Sequence, residues 1–139
     1  MKQLIVLCAV LILLAAILLQ IPLQAVNYDR RHAIMFYVNN AKEMAKQEGY
    51  YTDEILNDLK KNIAKKIKIS ESEIIINDNT TRTPKYRPEQ FDERELIYLK
   101  ISVPFKNIIA ASSFFGTSDN QRYYVIEEIT TSERLRNNE

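Results

Sequence analysis

Leu4 to Val26, 23 consecutive residues without a charge, restricts this chain more than any other part of its sequence. Fifteen of those positions are Leu, Ile or Val. Each favours insertion at a bilayer centre by roughly 0.3 to 0.6 kcal/mol, which sums to roughly 5 to 9 kcal/mol. As a helix the segment reaches about 35 Å, enough to cross a hydrocarbon core of about 30 Å with some tilt. Gln20, Pro22 and Gln24 subtract from the insertion energy, but they sit toward one end, where interfacial water lowers their cost. A cleaved secretory signal is the competing reading, with Lys2 as its charged start and Leu23-Gln24-Ala25 as an imperfect cleavage site. The unbroken apolar run Leu4 to Leu19 is already longer than the usual signal core of about 7 to 15 residues, which favours an uncut anchor.

Residues 1–27 are thus expected to form a transmembrane anchor and residues 28–139 a single α+β head. Charge does not orient the span, because Lys2 and the free amino group on one flank face Arg30 and Arg31 on the other. Tyr28 suits an aromatic anchor at the membrane interface. Lys2 is the only charge before residue 29, so 18 Lys and Arg balance 18 Asp and Glu in the head, and neither a nucleic-acid nor an acidic-lipid partner is called for.

Beyond Tyr28 the chain turns polar, yet no helix breaker intervenes before Gly49. Ile34, Val38, Ala41 and Ala45 recur at three- and four-residue spacing, which predicts one long helix that leaves the membrane and stops at the glycine. A second helix is expected from Thr52, a good N-cap, with Asp53 and Glu54 in its first turn and Ile55, Leu56, Leu59, Ile63 and Ile67 as its apolar stripe. Lys60, Lys61, Lys65, Lys66 and Lys68 crowd its far end; a lipid or nucleic-acid patch is one reading, and a solvated face that complements the helix dipole is the commoner one.

The remainder predicts a small antiparallel sheet of about three to four strands. Glu73 to Asn77 reads as a first strand, and residues 95–103 as the clearest, since Ile97, Leu99, Ile101 and Val103 alternate with polar positions. Pro104 is expected to limit pairing beyond it. Gln121 to Thr131 reads as a third strand whose facing Glu127 and Glu128 leave open, and Ser132 to Glu139 reads as a frayed polar tail. Residues 78–94 form a loop long enough to be either functional or mobile. Residues 106–116 suit a short packed helix or an exposed contact or membrane-dipping surface. In the second case Ile108, Ile109, Phe114 and Phe115 would meet a partner.

Chemistry is sparse. Cys8 is the sole cysteine and lies within the apolar run, while His32 is the one histidine, so neither a thiolate metal site nor a nucleophile-base pair can be composed. Gly49 and Gly116 are the only glycines, which excludes a glycine-rich phosphate loop. Asn79-Thr80-Thr81 matches a glycosylation acceptor, although a turn explains it as well. The head is expected to be non-catalytic and to need no cofactor or metal.

An apolar N-terminal helix running into Asn39-Asn40-Ala41-Lys42-Glu43-Met44-Ala45-Lys46-Gln47-Glu48-Gly49 and then a sheet resembles the minor pilins of tight-adherence (Tad) pili and related pilin-like proteins of Gram-positive bacteria. Ile101-Ser102-Val103-Pro104-Phe105, the apolar loop ending at Gly116 and the late strand closing on Thr131-Ser132-Glu133-Arg134 continue the likeness. Met1-Lys2-Gln3-Leu4 departs from it in lacking the small-then-acidic or aromatic pair that a prepilin peptidase cuts. The resemblance implies a structural subunit at the cell membrane with its head outside the cytoplasm, entering surface filaments or serving as an anchor during their assembly. Its partners would be the lipid bilayer, other pilin-like or assembly proteins and further copies of itself. Leu4, Leu11, Leu14 and Leu18 would exchange lipid for helix contacts, and Gln20 and Gln24 could hydrogen-bond between subunits. A membrane-tethered binding or accessory domain of a secretion or conjugation machinery is the alternative.

Overall fold

A computed structural model describes residues 1–87, 95–106 and 122–136. Its elements run α1 (Lys2–Glu48), α2 (Asp53–Ile67), a single 3-10 turn (Glu71–Glu73), β1 (Ile75–Ile76), β2 (Leu96–Phe105) and β3 (Arg122–Thr131). The fold is α+β, as expected.

α1 is one helix of 47 residues that passes through Pro22. Proline removes one backbone donor there, a defect that neighbouring turns absorb in a long apolar helix. Gly49 ends the helix in the left-handed conformation at φ 83°, with its N–H bonded to the Ala45 carbonyl. A side chain at Gly49 would collide with the Lys85 carbonyl oxygen, and the Gly49 carbonyl itself accepts the Lys85 N–H at 2.9 Å. Gly49→Ala should therefore lose at least the roughly 1 to 2 kcal/mol cost of a left-handed L-residue. Thermal unfolding should show a midpoint lower by several degrees.

A four-residue link, Gly49 to Thr52, folds α2 back along α1. The Thr52 hydroxyl caps α2 by accepting the Ile55 N–H at 3.2 Å. Ile34, Val38, Ala41 and Ala45 of α1 meet Ile55, Leu56, Leu59, Ile63, Ala64 and Ile67 of α2 in one core cluster. That cluster also holds Ile97, Leu99, Ile101, Val103 and Phe105 from β2 and Ile126 from β3. Among the described residues the sheet has three antiparallel strands in the order β1-β2-β3.

β2 extends further than expected, since pairing continues through Pro104, opposite Tyr123, to Phe105, opposite Arg122. The reason lies in which edge each residue addresses. Even-numbered residues of β2 turn their backbone groups toward β1: the Lys100 carbonyl takes the Asn77 N–H and the Tyr98 carbonyl takes the Thr81 N–H. Pro104 shares that parity, and β1 pairs no further than Ser102, so the missing donor removes no ladder bond. β1 is shorter than expected because residues 71–73 form the 3-10 turn, in which the Glu73 carboxylate accepts the Ser70 N–H.

Register also settles β3. Ile126 lies opposite Ile101, so Tyr124, Ile126 and Glu128 face the helices while Tyr123, Val125, Glu127 and Ile129 face outward. Glu128 accordingly pairs with Lys42 of α1 at 3.0 Å, and Glu127 pairs with Lys100 on the outer face.

The segment after β1 and the C-terminal residues are tied down. Asn77 closes a turn by accepting the Asn79 N–H, and the Thr80 and Thr81 hydroxyls accept N–H groups of Lys100 and Tyr98. Asn79-Thr80-Thr81 thus extends the β1 edge, which fits its reading as a turn. Ser132 is 2 % exposed; its hydroxyl donates to the Lys85 carbonyl at 2.7 Å and accepts the Arg134 N–H. The Glu133 N–H reaches the Lys46 carbonyl and the Arg134 guanidinium reaches the Glu48 carbonyl. Residues 132–136 are therefore a clasp over the end of α1 and not a frayed tail. They satisfy carbonyls that a helix end leaves open.

Candidate membrane and assembly surface

The apolar half of α1 stands clear of the head. Leu4, Leu11, Leu14 and Leu18 are all at least half exposed, as is Tyr28. Gln24 is exposed and Gln20 half-buried. This is the one helix among the described residues long and apolar enough to cross a membrane. Its surface is largely a sleeve of aliphatic side chains that the described residues of the head leave uncovered, an arrangement that water disfavours by roughly 25 cal/mol per Å² of apolar surface.

One face runs the length of the helix. Ile34, Val38, Ala41 and Ala45 grip the head, and stepping back by three or four residues leads to Asn27, Leu23, Gln20 and Ala16, which are partly covered while most of their neighbours are exposed. Gln20 thus lies on the face aligned with the core and Gln24 lies beside it, a distinction that spacing alone did not draw.

Where the apolar segment meets the head, Arg31 lays its guanidinium over two rings, 5.2 Å from the Phe105 centroid and 5.8 Å from that of Tyr124. Such stacking keeps the charge while burying the stem and fixes the angle at which α1 enters the head. Asp29 forms an ion pair with Lys66 at 3.4 Å, which brings the Lys66 ammonium, near the end of α2, to a residue three positions past Val26. His32 is exposed, and among the described residues no group of three or more His, Cys, Asp or Glu could hold a metal.

At the opposite end of the head an open cleft of about 450 Å³ is lined by Gln47, Tyr86, Glu133, Arg134, Leu135 and Arg136. Arg134 and Arg136 each lie 5.6 Å from the Tyr86 ring centroid. Hydrogen bonds to Glu133 and Glu43 hold the nearby Lys46 ammonium above its ordinary pKa. Nothing local in the sequence announced this cleft, because its walls come from α1, the segment after β1 and the C-terminal clasp. Ile108, Ile109, Phe114 and Phe115 lie outside the described residues.

Tyr51 is the one strongly shifted group among the described residues. It is 1 % exposed, and its phenol oxygen has no hydrogen-bond partner among the described residues. Burial pushes its pKa well above the ordinary 10.0, and Glu128 and Glu43 add to the shift. The folded state therefore holds this proton more tightly than the unfolded state does. The group's contribution to stability is complete below pH 10 and is lost as pH rises past that value. Tyr51→Phe should remove that loss and leave neutral-pH stability equal or higher, since an unpaired buried hydroxyl costs about 1 to 3 kcal/mol. Denaturant midpoints at neutral pH and at pH above 10 would check both expectations.

Comparison with family models, characterised proteins and solved structures finds no match to this chain. The class that fold and surface define is an α+β head carried on a helix compatible with a single membrane span.

Proposed function

We propose that the protein is a single-pass, non-catalytic pilin-like subunit of a Tad-type pilus or a related secretion apparatus, anchored by residues 4–26 with its head outside the cytoplasm. The observation that carries this reading is the unbroken path of α1 from Lys2 to Glu48, exposed and apolar in its first half and built into the head's core in its second. A signal peptide has no reason to be continuous with a core helix. Pulling such a helix from lipid into a bundle of copies exchanges one set of apolar contacts for another at little cost, while Gln20 and Gln24 supply polar contacts that lipid cannot.

Immunogold labelling of intact cells tests this. Gold along surface filaments, with filaments lost in cells lacking the protein, is the expected outcome. Label confined to flat membrane with filament number unchanged would remove the filament role.

The distal cleft favours a second reading, a membrane-tethered domain that holds a partner for a secretion or conjugation machinery. Arg136→Ala separates the two: a binding domain would lose capture of its partner, whereas a filament subunit would keep its filaments.

A further inference from the structure

We propose that the lysine-bearing end of α2 seats the head on anionic lipid headgroups. The inference rests on the anchor reading above and adds to it a lipid preference and a posture for the head.

Helix electrostatics order the charges of α2. α2 carries Asp53 and Glu54 in its first turn and Lys65 and Lys66 in its last, as its dipole favours. Because α2 folds back antiparallel to α1, that gradient along the sequence becomes a gradient along the axis of α1. The acidic end lies beside Gly49, far from the apolar segment, and the basic end lies beside Asp29. The Lys66–Asp29 ion pair at 3.4 Å sets the level. Asp29 is three residues beyond Val26, a rise of about 4.5 Å. The headgroup layer on each side of a bilayer is about 5 to 7 Å deep. Lysine stems at this height reach phosphate oxygens without dragging charge into hydrocarbon.

The charges at this end do not cancel. Lys65 and Lys68 are exposed and make no ion pair among the described residues, and Arg30 adds a further cation. The opposing carboxylates are Asp29, Glu71 and Glu73. Asp29 is engaged by Lys66, and Glu73 turns back onto the Ser70 N–H. A head with no formal net charge thus presents a basic underside. The lysines that sequence alone assigns to solvent are brought to the bilayer by the fold. Near an anionic surface each unit of net positive charge is worth roughly a fivefold gain in partitioning, so the excess of Lys65, Lys66, Lys68 and Arg30 over Asp29, Glu71 and Glu73 shifts the balance between a seated and a lifted head by roughly fivefold. The attraction acts within about 8 to 10 Å at ordinary ionic strength, which the geometry satisfies.

The test uses the full chain carrying Cys8→Ser and Ser72→Cys, with a fluorophore on the new cysteine, reconstituted in vesicles of phosphatidylcholine alone or mixed with phosphatidylglycerol. Both preparations contain a headgroup-attached quencher lipid. Quenching should be stronger in the mixed vesicles and fall toward the phosphatidylcholine level in about 1 M salt, where screening shortens to about 3 Å. Lys65→Glu with Lys68→Asn, which keeps the Lys66–Asp29 pair and places asparagine at the left-handed helix cap, should abolish the difference. Lys65→Gln alone should reduce it, giving a milder variant should the double one misfold. Equal quenching in both vesicles by the unsubstituted protein would overturn the inference and leave the lysines to solvent or to a protein partner. Flotation of the same samples separates this failure from that of the anchor. Protein that floats with both vesicle types but shows no lipid preference refutes only the seating, whereas protein that fails to float with either refutes the anchor and the seating with it.

Discussion

Leu11→Arg with Leu14→Arg should strip the protein from the membrane fraction of cells, while Leu11→Ile with Leu14→Ile should leave it there. Both positions are at least half exposed on α1, so neither change disturbs the head. Each arginine near the centre of a span costs roughly 2.5 to 3.5 kcal/mol, and two cost roughly 5 to 7 kcal/mol. The segment's insertion energy is roughly 5 to 9 kcal/mol before the two leucines are removed. The balance falls to about zero. Quantitative blotting of membrane and soluble fractions reads the result directly, and unchanged membrane association would mean that the segment is not held by hydrocarbon.

The second large effect is in the head. Ile101 is fully buried and lies opposite Ile76 on one side and Ile126 on the other, so a single row of isoleucines crosses all three strands beneath the helices. Ile101→Ala should cost about 2 to 5 kcal/mol, because the neighbouring strands are hydrogen-bonded and cannot close the cavity. A domain of this size has a total stability of about 5 to 15 kcal/mol, so the thermal midpoint should drop by about 10 to 20 °C. Ile129→Ala provides the contrast. Ile129 is 58 % exposed on the outer face of β3, and its loss should stay within about 0.5 kcal/mol. Calorimetry of the two variants in the same detergent would show whether burial, and not hydrophobicity alone, governs the cost.

Much of this architecture was legible in the residues, for reasons that can be named. Periodicity gives the core face of a helix directly, which is why Ile34, Val38, Ala41 and Ala45 and the stripe from Ile55 to Ile67 are the buried residues of α1 and α2. Alternation gives the buried face of β2 for the same reason. Local chemistry gave the ends, through the Thr52 cap and the left-handed Gly49. What could not be read was set by pairing between distant segments. The facing of β3 depended on whether Ile126 or its neighbour met Ile101, and with it whether Glu128 would find Lys42. Pro104 looked like a stop because its open edge becomes visible only once β1 is placed. The C-terminal residues looked frayed because their partners, Lys46, Glu48 and Lys85, lie far earlier in the chain. The membrane surface follows the same division. Composition identified the apolar span, but only the fold of α2 onto α1 revealed that Lys66 reaches Asp29.

Residues 4–26 should stay attached to the head and hold it at the bilayer. Intact mass spectrometry of the protein extracted from carbonate-washed membranes tests it most directly. A species near 16.2 kDa that retains the apolar segment and remains in the membrane pellet is the expected result. A washed-out soluble protein whose first residue falls near Val26 would contradict it.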